Sequence, residues 1–380
     1  MFQINQSEFR PCNLRNGSNV SSIDCDDDLL ERLRNISNGT IMEIRSTGLD
    51  FFTYVTPVIL AVGITGNAIS LLVFLTNNMR KLSASVYLAA LSTADLMALL
   101  FYVLIEWIKK GIPIESGQVN APLLERNGLC QVILFLMYAS RFLSAWLVAC
   151  FTLERYVGVC HPLKRKDVCN LRSSKRIVFF AVIASFLVSA FRPWLNEVHY
   201  IGPNNVPWCS PRLEHKFLSF VYDCIFGVSI TFLPFVIITI LNTLIIRKLI
   251  IRNRRHRKVK IITEESIIRL EFTIILITIS LCFIAFNTPY AVIWFKHSIE
   301  VTLSQNVMGD FIDINQNLFY FTKTIFFMNY CVNFFLYSIT GAYFRKELKM
   351  LFTYRSKVYQ NYHKCSLPNS TATTPQSWVS

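Results

Sequence analysis

The segment CQVILFLMYASRFLSAWLVACFTLERYVGVCHPL spans residues 130–163 and carries a single charged residue, Arg141, before Glu154. Cys130 and Arg155 are 25 residues apart, a distance that a helix rising about 1.5 Å per residue stretches over roughly 37 Å, one bilayer core with part of its headgroups. A cysteine therefore stands at one tip and Glu154-Arg155-Tyr156 at the other. Met137, Arg141, Ser144 and Arg155 fall near one helical face, because their offsets approach whole turns. That face is expected to look into a bundle.

Six further apolar blocks of similar length flank this one. The seven run Phe52–Leu75, Ala84–Ile108, Gln131–Leu153, Ile177–Leu195, Phe217–Ile246, Phe272–Phe295 and Asn317–Phe344. The first and sixth contain no charged residue, a length of apolar helix that soluble proteins rarely build. The chain is 53% hydrophobic over 380 residues, more apolar surface than one soluble core of that size can bury. The fold class follows: an all-α membrane protein with a seven-transmembrane helix bundle.

The formal net charge of +14 would fit a nucleic-acid binder if it were clustered on a soluble face, but it lies between the apolar blocks. Arg247–Arg269 holds nine Lys and Arg against Glu264 and Glu265. Leu163–Arg176 and the stretch after Phe344 are also basic, whereas Met1–Asp50 has eight acidic residues against five basic ones. The excess of Lys and Arg on inner loops then predicts an N-terminus outside the cell and a C-terminus inside. The opening MFQINQSEFRPCN lacks a basic region followed by an apolar run, so the first helix is expected to direct insertion. Five Asn-x-Ser/Thr triplets, at Asn5, Asn16, Asn19, Asn35 and Asn38, are the expected glycosylation sites of that outer tail. Three regions result: a glycosylated tail over 1–50, a membrane domain over 51–344, and an amphipathic helix with inner tail over 345–380.

Of the 11 cysteines, Cys130 and Cys209 lie at predicted outer positions, as do Cys12 and Cys25. A disulfide between Cys130 and Cys209 would tie the second outer loop over the bundle and roof a cavity. No metal-ligand spacing, internal repeat or glycine-rich phosphate loop is present, so no cofactor is expected. Polar groups at membrane depth are costly and mark function more often than in soluble cores. Here they are Asn67, Asp95, Arg141, Ser144, Asp223, Asn287, Lys323, Asn329 and Asn333.

At these residues the chain resembles the rhodopsin-like, class A G-protein-coupled receptors, over about 50–352. The matching features are Gly66-Asn67, Leu91-Ser-Thr-Ala-Asp95, Cys130, Glu154-Arg155-Tyr156, Cys160-His161-Pro162-Leu163, Pro234, Phe283 with Pro289, Asn333-Phe-Phe-Leu-Tyr337, and Phe344-Arg345 opening an amphipathic eighth helix. Asn287 stands where the family usually has Trp, Phe334 where it has Pro and Asn242 where it has Tyr, so the usual aromatic switch and proline kink are not expected in their ordinary form. Asn287-Thr288-Pro289, Val332-Asn333-Phe334 and Leu241-Asn242-Thr243 resemble invertebrate FMRFamide-type neuropeptide receptors.

The resemblance implies a plasma-membrane receptor that binds an extracellular peptide and acts on a heterotrimeric G protein, with a receptor kinase, an arrestin and membrane lipid as further partners. Glu154, Arg155, Tyr156 and Tyr337 would form the coupling site, Arg155 being held by Glu154 at rest and freed when the sixth helix swings outward. Asp95, Ser144, Asn329 and Asn333 match the family's sodium-binding cluster. Arg141 could instead offer its guanidinium to Asp95, replacing the ion. Ser366, Ser370, Thr371, Thr373 and Thr374 are candidate phosphorylation sites and Cys365 a candidate palmitoylation site.

The cavity is expected to be lined by Glu106, Met137, Arg141, Asp223, Phe286, Tyr290, Phe319 and Lys323. Met137 stands where an amine receptor would carry Asp. For an amidated Arg-Phe peptide, Glu106 or Asp223 is the natural partner of the ligand's arginine; the alternative is that both only pair with Arg141 and Lys323. Three rival readings are weaker. A light receptor needs lysine where Phe327 stands, a transporter predicts inverted repeats, and an enzyme needs a nucleophile and base at plausible spacing.

Overall fold

A computed structural model describes residues 47–111, 124–201, 206–255, 264–303 and 309–353. The five glycosylation triplets, Cys12 and Cys25, residues 256–263, and the phosphorylation and palmitoylation candidates of the tail lie outside the described residues.

Among the described residues, six helical spans are long and apolar enough to cross a membrane. They are α1 (Thr47–Phe74), α2 (Ser83–Lys110), α3 (Leu129–Cys160), α4 (Leu171–Leu195), α5 (Leu213–Ile251) and α6 (Leu270–Ile299). Each covers one predicted block. Only 17% of the apolar window of α4 is buried inside the protein, against 56% for α3, and Phe179, Phe180 and Leu187 stand exposed on it. Such a surface is stable only against lipid, so α4 is peripheral and α3 central.

The seventh block forms α7, which is interrupted: helix over Gly309–Phe327, a tighter turn over Met328–Tyr330, then helix again over Asn333–Thr340. The chain breaks here although the family's proline is absent. Asn67 of α1 supplies the reason, since its Nδ2 donates to the Tyr330 carbonyl at 2.7 Å and to the Gly63 carbonyl at 2.9 Å. A carbonyl released by an interrupted helix needs a donor in a membrane. Gly66 lets the two helices approach, because a Cβ there would sit 2.9 Å from Cβ of Phe334.

The predicted block ran unbroken to Phe344, but α7 ends at Thr340 and a separate helix, α8, occupies 342–353. Gly341 makes the corner; a Cβ there would lie 2.6 Å from the Tyr337 carbonyl. Arg345 then caps the end of α7, donating to the carbonyls of Ser338 at 3.1 Å and Ile339 at 2.9 Å. Glu347 fastens α8 to the α1–α2 turn by accepting from Thr76 at 3.2 Å and Asn78 at 3.0 Å.

Among the described residues two helices contain π turns, Leu99–Val103 in α2 and Val228–Phe232 in α5. Pro234 has no N–H to return to the Ile230 carbonyl, which accounts for the loosening of α5. Between α4 and α5 the chain forms a hairpin, β1 (Asn196–Ile201) with β2 (Val206–Pro211), antiparallel with Val198 opposite Cys209. Cys209 is bonded to Cys130 at the start of α3, with a Cα separation of 6.3 Å. The Cys209 N–H also donates to Glu125 at 2.7 Å, and Glu125 pairs with Lys109 of α2 at 2.5 Å. The hairpin is thus tied to α2, α3 and the turn between them. At the head of α3, Gly128 adopts φ +85°, a backbone that side-chain-bearing residues rarely enter.

Candidate functional site

Polar side chains within the bundle fall into three groups: near the disulfide end, at mid-depth, and at the Arg155 end. Between the π turn of α5 and the facing helices α3, α6 and α7 lies a cavity of about 110 Å³, lined among others by Tyr138, Arg141, Asp223, Tyr290, Trp294 and Phe326.

Asp223 accepts the Tyr138 hydroxyl at 2.6 Å and pairs with Arg192 of α4 at 3.2 Å. Arg192 also donates to Ser219 at 2.6 Å, with its guanidinium 5.0 Å from the Tyr138 ring. Arg141 carries its guanidinium 4.4 Å above the Tyr102 ring, and 5.6 Å and 5.9 Å from the rings of Phe226 and Phe326. Its Nε is buried without a hydrogen-bond partner.

Beside this cavity, Lys323 of α7 pairs with Glu106 of α2 at 2.5 Å, and Lys110 joins the same carboxylate at 3.2 Å. Lys323 is 3% exposed, with its ammonium 5.5 Å from the Phe319 ring. A buried cation of this kind is tolerable only when paired.

Of the eight residues predicted to line the cavity, Arg141, Asp223 and Tyr290 do so. Phe319 meets Tyr290 at a tilt, with ring centroids 5.7 Å apart, and belongs to the Lys323 neighbourhood, while Met137 packs between the two apolar cores. Glu106 and Phe286 are not among the lining residues. The expected internal pairs are half right: Glu106 does take Lys323, but Asp223 takes Arg192 in place of Arg141, because the short helical turn Phe191–Leu195 brings Arg192 to α5. Arg192 was legible as an ionisable group inside the fourth apolar block and went unremarked. Tyr138, Trp294 and Phe326 were recoverable from helical periodicity, lying next to Met137 and about one turn from Tyr290 and Lys323 respectively.

At mid-depth, Asp95 is fully buried and accepts from Ser144 Oγ and Asn333 Nδ2, each at 2.6 Å. The alternative ion pair with Arg141 is not formed. Arg141 turns to Tyr102 instead, and among the described residues no cation pairs with Asp95. One turn before Asp95, Ser92 Oγ is buried without a hydrogen-bond partner.

At the far end, Glu154 and Arg155 form a buried pair at 2.6 Å. Arg155 also donates to Ser83 at 3.3 Å, and its guanidinium lies 5.4 Å from the Phe151 ring. Tyr156 meets His161 Nε2 at 3.2 Å. Tyr337 is fully buried between Phe74 and Phe344, at ring separations of 5.2 Å and 5.6 Å. Sequence reading missed Glu271 of α6, whose carboxylate accepts the Tyr343 N–H at 2.6 Å. The lower end of α6 is therefore latched to the start of α8.

A bundle of apolar helices, a loop disulfide-bonded over one end and a buried acid–arginine pair at the other define a multi-pass membrane protein of receptor type. The family model described as 7 transmembrane receptor (rhodopsin family) matches residues 66–337, and the chain belongs to that family. Among curated proteins it is 30% identical to the thyrotropin-releasing hormone receptor of Gallus gallus over 230 residues, 56% of this chain and 55% of that protein. It is 24% identical to neuromedin U receptor homolog nmur-2 of Caenorhabditis elegans over 165 residues, 38% of this chain and 39% of that one. Cysteinyl leukotriene receptor 2 of Mus musculus matches at 23% over 310 residues, 80% of this chain and 92% of that protein. The chain spans about half the length of the first two thyrotropin-releasing hormone receptors it matches.

Proposed function

We propose that this chain is a plasma-membrane receptor, its N-terminus outside the cell, that binds an extracellular neuropeptide and activates a heterotrimeric G protein. The observation that carries the reading is the cavity near the disulfide-tied hairpin, aromatic-walled and holding both Asp223 and Arg141. Charges of both signs among rings suit an amphipathic peptide. Similarity to receptors named for thyrotropin-releasing hormone and neuromedin U supports the same choice. Glu154, Arg155, Tyr156 and Tyr337 would serve the G protein at the other end, and a receptor kinase and an arrestin would act on the inner tail. Expression in cultured cells, with calcium and cyclic-nucleotide readouts against a peptide collection, tests this directly. A second reading, a non-peptide ligand, is favoured by the match to cysteinyl leukotriene receptor 2 across most of both chains; activation by a lipid and by no peptide would establish it.

The finer form of the reading is a peptide ending in amidated Arg-Phe. Its arginine would go to Asp223, which lines the cavity, in exchange for Arg192; Glu106 is engaged by two lysines. Asp223→Asn is expected to weaken such a peptide by about 30- to several thousand-fold, the range for losing a desolvated charge pair of roughly 2–5 kcal/mol. The same peptide with citrulline for arginine should respond almost equally to both receptors. Equal potency of the arginine peptide on wild type and variant would remove Asp223 from ligand recognition.

Asp95 and Ser144, with Asn329 and Asn333 completing the set, would hold a sodium ion, whose charge would offset that of the buried carboxylate. The buried carboxylate without a cation, and the unpartnered Ser92 hydroxyl beside it, fit that use.

The latch at Glu271 would oppose outward movement of α6, since any separation from α8 breaks a hydrogen bond to a charged acceptor. Such bonds contribute about 1.5–3 kcal/mol. Glu271→Ala is accordingly expected to raise ligand-independent signalling about tenfold where the readout is not saturated. Basal signalling equal to wild type at matched surface expression would show that the latch does not hold the resting form.

A further inference from the structure

Among the described residues every ionic partnership near the cavity is settled except one. Glu106 takes Lys323 and Lys110, and Asp223 takes Arg192. Among the described residues Arg141 forms no salt bridge with a carboxylate, although it lines the cavity together with Asp223. Its neighbours are the rings of Tyr102, Phe226 and Phe326 and the hydroxyl-bearing Tyr138, Tyr290 and Tyr330. Ring faces replace part of the hydration that a guanidinium loses on burial, and the Tyr330 hydroxyl meets one end of its fork, but neither returns the missing negative charge. Nε is left without an acceptor.

We propose that Arg141 anchors a carboxylate of the ligand, so that the ligand carries an acidic group at its buried end. The inference rests on the receptor reading above and specifies the ligand's chemistry, putting an acidic end in place of the amidated one. A carboxylate offers two in-plane oxygens that match the guanidinium fork and returns the missing negative charge. A carboxamide offers one acceptor and no charge. For a peptide, the group is a free C-terminal carboxylate or an Asp or Glu side chain beside it. A peptide ending in Arg-Phe as the free acid would address Asp223 and Arg141 together. The competing role for Arg141 is a strut that holds α3 against Tyr102 of α2.

Benzoate, an aromatic carboxylate, tests the anchor without knowledge of the natural ligand. The purified full-length receptor is followed by thermal unfolding with benzoate, benzamide or benzylamine at equal ionic strength. A ligand that binds the folded form raises the midpoint in proportion to its occupancy. Benzoate is expected to give a saturable rise with wild type, benzamide a smaller one and benzylamine none. Arg141→Gln should abolish the benzoate effect. Arg141→Lys, which keeps the charge and loses the fork, should shift the half-saturating benzoate concentration upward by about tenfold.

A rise of equal size in Arg141→Gln, or no saturable rise in wild type, would overturn the proposal. So would equal stabilisation by benzamide, which would assign a neutral carbonyl to the site. If Arg141→Gln cannot be purified, the decision passes to Arg141→Lys, where an unchanged benzoate midpoint counts against the anchor. Should no peptide activate the receptor while benzoate still distinguishes wild type from the Arg141 variants, the peptide reading falls and the carboxylate anchor stands.

Discussion

Arg155→Ala is expected to leave surface expression and ligand binding near wild type and to abolish G-protein activation. Arg155 stands at the end of α3 away from Cys130, about 37 Å of helix from the hairpin, so its loss removes nothing from the cavity. In the structure it is held by Glu154 at 2.6 Å and by Ser83 at 3.3 Å. Both contacts must be given up before the guanidinium can meet a partner protein. Among the described residues no ion pair joins it to α6, whose lower end is engaged by α8 through Glu271. Release of Arg155 and release of α6 are thus separate events, and Glu271→Ala should not restore the signalling that Arg155→Ala removes. Radioligand binding together with nucleotide exchange on a purified G protein checks both statements. Parallel loss of binding and exchange would place Arg155 in the fold and not in coupling.

Cys209→Ser is expected to abolish high-affinity ligand binding. A bridge closing a long loop contributes typically about 2–4 kcal/mol, and this one closes a loop with a sequence separation of 79 residues. The effect is local as well. Cys209 sits in β2 opposite Val198, and its N–H is held by Glu125, itself paired with Lys109. Once the sulfur link is cut, the hydrogen bond from Cys209 to Glu125, itself braced by Lys109, is left as a polar tie of β2 to the turn before α3. Cys130→Ser should behave alike, and Glu125→Gln should cost only a fraction as much, since the covalent tie survives. Binding measured on intact cells, normalised to surface protein, separates lost affinity from lost export. Binding retained by Cys209→Ser at wild-type affinity would mean that the hairpin does not shape the cavity. Because Cys130 and Cys209 are bonded to each other, their proximity to Glu125 is no metal site.

Apolar length and the placement of basic residues made the helical bundle readable without coordinates, because membrane burial writes itself into sequence as blocks. The short strings around Asp95, Cys130 and Arg155 likewise stood in the order that the structure uses. Side-chain partners were harder, since they depend on rotation and approach between helices far apart in the chain. Asp223 illustrates this: its partner is Arg192, delivered by the short helical turn Phe191–Leu195 that closes α4 and that periodicity does not reveal. Glu271 was hidden for a related reason, as its acceptor role depends on where Gly341 turns the chain. The π turn in α2 shifts the facing of every residue after it in that helix, which is why Glu106 was placed on the cavity wall and is not there.

The interruption of α7 has a consequence for how the molecule is assembled. A proline bend is written into its own helix and is present as soon as that helix forms. In α7 the interruption is instead met by an amide from α1, some 263 positions earlier in the chain, and by the absence of a side chain at Gly66. The bend therefore belongs to the docked pair and not to either segment. While α7 is still emerging during synthesis nothing obliges it to break, and it can enter the bilayer as a continuous rod. The final shape of its last two turns is conferred late, by the first helix to have been made.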